Sequence, residues 1–241
     1  MSKMADLLTL VLEIFSFTCL VIVSVSLLRL YNREKALPPL LMGLAYVNTS
    51  IVVLIIFIRD FLNLPYEFLF MENFFDTFPL MLVPLSPAFM WLFKLEVFDG
   101  GLRANRNKII GYGLGLGLFT FLMMLEILII DFTTELVIFA VVLVLILVVY
   151  ALGTYFYSLI SILPKYEDRI YRVKTQLLLL SLLMFIFCIT SLIISVIVLN
   201  VFNGDPLMYE TIAWIGCTIS SFLALFSFSI PKVIQAKLGL A

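Results

Sequence analysis

Four carboxylic acids stand in stretches that otherwise hold few charges: Glu13, Glu72, Asp76 and Glu126. Each falls in a run long and apolar enough to cross a bilayer, where an ionisable group costs roughly 2.5–3.5 kcal/mol at the helix centre on insertion scales. Such a group needs water, a proton or a counter-cation. In helical geometry Glu13 is roughly 9 Å beyond Leu7, Glu72 and Asp76 share one face as an i, i+4 pair, and Glu126 is roughly 27 Å beyond Lys108. Two readings follow. The acids either converge on an acidic vestibule for a cation or amine, their mutual repulsion relieved by the ligand, or they reach interfacial water separately and serve topology. No basic residue within the spans is placed to neutralise them.

The elements that position these acids follow from composition. Of 241 residues, 63% are hydrophobic and 13% charged, with a mean hydropathy of +1.19; a soluble domain carries about 25% charged residues. The chain reads as an all-α, polytopic membrane protein. A hydrocarbon core about 30 Å thick needs roughly 20 apolar helical residues, and seven runs qualify: 7–28, 37–58, 70–93, 109–130, 136–163, 176–200 and 208–230. Together they predict one domain, a bundle of seven transmembrane helices.

Charge sets the expected orientation, because Lys and Arg are retained on the cytoplasmic side of short loops. Thirteen of the 15 basic residues fall on one side of the seven spans, and only Lys3 and Arg59 on the other. The amino terminus is therefore expected outside, the carboxyl terminus in the cytoplasm, and the four acids in the outer thirds of their helices. The basic clusters Arg103, Arg106 and Lys108, and Arg169, Arg172 and Lys174, are candidates for contact with anionic lipid or an acidic cytoplasmic partner. The first run is expected to be an anchor rather than a cleaved signal peptide, since its basic flank follows it.

Histidine is absent, and Cys19, Cys188 and Cys217 are scattered through apolar runs. A zinc centre, a His-ligated haem and a His-dependent hydrolase therefore lack their parts. No catalytic residue, metal or cofactor is expected, and the chain is not read as an enzyme. The cysteines read as small packing residues. The expected partners are the bilayer and a separate cytoplasmic or membrane protein, not nucleic acid.

Three further features bear on helix shape. Pro79, Pro84 and Pro87 each remove a backbone donor, so the third helix should kink or unwind, which a bilayer tolerates where freed carbonyls face protein or a water-filled cavity. Gly111, Gly113, Gly115 and Gly117 give overlapping small-xxx-small spacings suited to close helix packing. Asn48, Thr49 and Ser50 form a polar patch midway along the second helix, from which Asn48 can reach a neighbour. Ser181, Thr190, Ser191, Ser195, Ser220, Ser221 and Ser227 are expected to bond their own i−4 carbonyls. Trp91, Tyr112 and Trp214 lie near span ends and read as interfacial anchors.

The third-helix exit, from Pro84 through Trp91, Leu92, Phe93, Lys94, Leu95, Glu96, Val97, Phe98, Asp99 and Gly100 to Arg103, is an apolar run followed by a short aromatic, glycine and basic loop. This segment, and the basic loop before Pro38 and Pro39, resemble the seven-helix amino-terminal sensor domain found ahead of bacterial and archaeal histidine kinases. The resemblance implies ligand sensing in the cell membrane. With no kinase after Ala241, output is expected to pass to a separate protein. Two alternatives stay open: a cation or proton carrier using Glu13, Asp76 and Glu126, and a structural subunit of a membrane complex.

Overall fold

A computed structural model describes residues 2–62, 81–128, 134–202 and 207–228. The described residues contain no strand. They form seven α-helices: α1 (Ser2–Glu34), α2 (Leu37–Leu62), α3 (Leu85–Phe98), α4 (Arg106–Leu128), α5 (Thr134–Ile162), α6 (Arg169–Phe202) and α7 (Leu207–Phe228), with 3-10 turns at Arg103–Asn105 and Leu163–Lys165. Among the described residues six stretches are long and apolar enough to cross a membrane: Leu8–Glu34, Leu37–Ile58, Arg103–Met124, Val142–Lys165, Arg169–Leu192 and Thr211–Phe228. In lipid only structures that satisfy every backbone group internally can span, and these six helices make the chain a multi-pass membrane protein.

Of the run expected over 70–93, residues 70–80 lie outside the described residues. Helix is present at 81–82, interrupted by a turn at 83–84, and resumes as α3. Several helices extend beyond the apolar runs: α6 starts at Arg169 although its run begins at Gln176. Hydropathy marks the hydrocarbon crossing, whereas the helix continues through the wet interface, where charged side chains reach water. Asp168 begins this extension, its carboxylate accepting the Ile170 N–H at 2.7 Å, as an N-terminal cap does.

Two compact units divide the chain, one of Ser24–Tyr155 and one combining Met1–Val23 with Phe156–Ala241. In the first, α1 ends where Lys35 adopts a left-handed φ of 55° and donates its N–H to Tyr31 O at 2.6 Å. Two residues later α2 opens on Leu37, Pro38 and Pro39, whose fixed φ suits a first turn and whose missing N–H is no loss there. Gly43 lets the helices approach, since a Cβ there would sit 3.0 Å from Leu28 Cδ2. Around α3, α4 and α5 two apolar clusters form, one of Met81, Phe119, Leu122, Met123 and Val144, the other of Ala88, Trp91, Leu95, Tyr112, Leu147 and Ala151. Trp91 stacks on Tyr112 at 4.7 Å between centroids, and the Tyr112 hydroxyl donates to Leu147 O at 3.2 Å. Trp91 is 1% and Tyr112 6% exposed, so both are core aromatics rather than interfacial anchors. Trp214, in the second unit, is buried as well.

The second unit is held by hydroxyls. Ser181 Oγ donates to Ser220 O at 2.8 Å and Ser220 Oγ returns a bond to Ser181 O at 2.9 Å. This reciprocal clasp joins antiparallel α6 and α7 and replaces the i−4 bonds expected of the two serines. Its cause is proximity: a Cβ on Gly216 would meet Phe187 Cδ1 at 3.2 Å and Met184 O at 3.4 Å. With the backbones that close, each hydroxyl reaches the opposite carbonyl. Thr190 and Ser221 do bond back to their own i−4 carbonyls, Ile186 O at 2.8 Å and Cys217 O at 2.7 Å.

Candidate membrane site

Glu13 is the one of the four acids whose surroundings the structure describes. Its side chain has 0% exposure. Along the same face of α1, Thr9 and Ser16 meet α7: Thr9 Oγ1 lies 3.5 Å from Thr211 Oγ1, and Ser16 Oγ lies 2.8 Å from Thr218 Oγ1. Both pairs are 202 residues apart, so α1 and α7 run parallel with a constant offset. Glu13 falls between these two contacts by sequence. A carboxyl is thus held out of solvent beside a ladder of hydroxyls, each able both to donate and to accept.

The other acids are less fully placed. Glu72 and Asp76 lie outside the described residues, as does Pro79. Glu126 is on α4, about 30 Å along it from Arg106, and its side chain is outside the described set. Among the described residues no three His, Cys, Asp or Glu side chains assemble as a metal site. The three cysteines are free and buried.

The best defined polar site in the first unit is built at the turn before α3. Helix ends at Leu82 and begins again after Pro84, whose φ of −74° and ψ of −12° keep the chain nearly helical. Pro84 and Pro87 are fully buried. A helix end leaves carbonyls without intrahelical donors. Asn48, from the middle of α2, fills that need: its Nδ2 donates to Leu82 O at 2.8 Å and to Ser86 Oγ at 2.8 Å. Thr49 Oγ1 lies 2.8 Å from Ser86 Oγ and 3.0 Å from Ala45 O, while Ser86 Oγ donates to Ala45 O at 3.0 Å. When Thr49 turns its proton toward it, Ser86 gives one proton and accepts two, the full capacity of a hydroxyl. Thr49 has one proton for two acceptors, so this corner has more than one hydrogen-bond arrangement available.

At its other end α3 passes into a rigid turn. Gly100 and Gly101 take φ of 81° and 97°, conformations open to glycine at little cost, and the Gly101 N–H closes on Leu95 O at 3.0 Å. Glu96 accepts the Leu102 N–H at 2.9 Å, Lys94 pairs with Asp99, and Asn105 Nδ2 donates to Asp99 O and Gly101 O, both at 3.0 Å. Lys108 Nζ donates to Asn105 Oδ1 at 2.9 Å. The acids and lysines of this corner are thus consumed internally, whereas Arg103 and Arg106 are exposed. Arg169 and Arg172, at the start of α6, are exposed too, and Lys174 is half-buried.

Of the four glycines at the start of α4, Gly115 approaches a neighbour: a Cβ there would sit 3.0 Å from Leu147 Cδ2. At Gly111, Gly113 and Gly117 a Cβ would meet no described atom within 4 Å. Sequence reasoning did not single out Ser86, Thr9 or Ser16. For the last two a signal exists, the shared seven-residue spacing of Thr9 with Ser16 and Thr211 with Thr218. Compared with protein families, curated proteins and solved structures, the chain matches none.

Proposed function

We propose that this protein is a seven-span sensor or interaction module of the cell membrane, with its amino terminus outside and its carboxyl terminus in the cytoplasm. It takes a small molecule or cation from the outer side, through Glu13, Glu72, Asp76 and Glu126, and passes the change to a separate protein through its basic cytoplasmic loops. The observation that carries this reading is the interrupted third helix. Its break at 83–84 is braced by the Asn48 amide of α2, so a ligand that competes for those bonds would shift α3 and the Arg103 turn attached to it. Such a ligand acts only through its different affinities for the two arrangements. The test is purification in mild detergent with mass spectrometry of what accompanies the protein. A specific protein partner is expected, lost when Arg169 and Arg172 become Ala and altered in yield by Asn48→Leu.

Burial of Glu13 favours a second reading, a carrier or channel subunit for protons or cations. Proton or cation flux into proteoliposomes that disappears in both Glu13→Gln and Glu126→Gln would support it. Flux indistinguishable from empty vesicles would leave the interaction reading.

A further inference from the structure

We propose that the turn between α3 and α4 is a binding site for the phosphate headgroup of one anionic glycerophospholipid, with Arg103 and Arg106 as its ligands. Leu102, Arg103, Arg106, Ile109 and Ile110 line an open cavity of about 480 Å³ at this turn. Its two cations stand three residues apart across a 3-10 turn and the first position of α4, a spacing that places side chains on one side.

Neither arginine is in an ion pair or side-chain hydrogen bond among the described residues. This is a consequence of how the turn is tied. Asn105 is engaged by two backbone carbonyls and Lys108. Asp99 is paired with Lys94 and Glu96 is held against the Leu102 N–H, so neither carboxylate forms an ion pair with the guanidinium groups. Planar guanidinium forks match phosphate oxygens, giving short, charge-assisted hydrogen bonds.

The apolar wall distinguishes a lipid from a soluble phosphate. From the cavity an exposed stripe continues along α4 through Ile110, Leu114, Leu118 and Phe121, with Leu114 70% exposed. Ile110 to Phe121 covers about 16 Å of helix, close to one leaflet's half of a core about 30 Å thick. Arg103 itself opens a stretch able to span the membrane, Arg103–Met124. Headgroup ligands at the interface and an apolar track leading into the hydrocarbon are the two parts a phospholipid requires. The same site seats the bilayer against the turn that the proposed sensor uses for output, but it stands whether or not that reading does.

The test is native mass spectrometry of the full chain in detergent, titrated with phosphatidylglycerol or phosphatidylcholine. Wild type is expected to keep one phosphatidylglycerol in preference to phosphatidylcholine. A loss of about 5-fold per arginine removed, or roughly 25-fold together, is expected for Arg103→Ala with Arg106→Ala. Arg29→Ala with Arg33→Ala, which removes the same charge elsewhere, should leave that preference intact. Ile110→Asn should weaken retention of the lipid but not its headgroup preference. Unchanged preference in the Arg103/Arg106 variant, or an equal loss in the Arg29/Arg33 variant, would overturn the site. Displacement of the bound lipid by inorganic phosphate or by deacylated headgroup would show a soluble-phosphate site and overturn the assignment to lipid.

Discussion

Replacing Asn48 by Leu tests whether side-chain bonds hold the break in the third helix. The substitution keeps the side chain's branching at Cγ, though it is bulkier, and removes one amide that serves two acceptors, Leu82 O and Ser86 Oγ, each at 2.8 Å. Interhelical side-chain bonds in membrane proteins average about 0.6 kcal/mol, with a maximum near 1.7. Two such bonds would then total about 1.2 kcal/mol if both partners found substitutes. Ser86 does: it keeps the Thr49 contact and still donates to Ala45 O. The Leu82 carbonyl loses the Asn48 amide at the helix break, and leaving a buried acceptor unmade costs about 1–3 kcal/mol. We expect a destabilisation of about 1.5–3 kcal/mol, more than a bond count alone gives. Reversible unfolding in mixed micelles of mild detergent and dodecyl sulfate measures it. Ser86→Ala alone should cost less than Asn48→Leu, and the double variant less than the sum. A stability within about 0.3 kcal/mol of wild type for Asn48→Leu would refute the reasoning, since Leu82 O would then have had no need of the amide.

Three further expectations concern other contacts. Ser181→Ala and Ser220→Ala should be non-additive, because each serine both gives to and receives from the other, with a coupling of about 0.5–1.5 kcal/mol in a double-mutant cycle. Gly216→Val should destabilise by about 1–3 kcal/mol through overpacking against Phe187 and Met184, whereas Gly113→Ala, with open space at its Cβ, should be neutral or stabilising by up to about 1 kcal/mol; thermal denaturation compares the pair. Asn105→Ala should free the 99–108 turn, raising amide hydrogen exchange there at least about fivefold while α6 and α7 remain protected.

Six spans were legible because crossing hydrocarbon imposes a length and an apolarity that few other demands impose, and α5, with no charge from Leu136 to Ile162, illustrates it. Helix ends were not, since Arg169 to Thr175 is helical for reasons of capping and interfacial wetting rather than hydropathy. Residues 70–80 lie outside the described residues, so the third run is seen only from Met81. Within the site, Asn48 was legible because a lone amide at mid-membrane demands a partner. Its partner Ser86 was not: a serine between two prolines carries no periodic mark. Small spacing alone could not tell Gly115, which meets Leu147, from Gly113, which meets open space. Ser181 and Ser220 were assigned to their own helices because a local carbonyl is always in reach, and only the backbone proximity granted by Gly216 makes the opposite one competitive.

The parallel match of α1 with α7 has a consequence for biosynthesis. Thr9 and Ser16 contact residues 202 positions downstream, so α1 cannot meet its companion until the whole intervening stretch of polypeptide has been made. During that interval the hydroxyls of α1, and the carboxyl of Glu13 beside them, must be sheltered by the translocon, by a chaperone or by provisional neighbours. A chain cut short before Thr211 would leave that polar edge facing fat, a mark by which quality-control proteases could recognise an unfinished product.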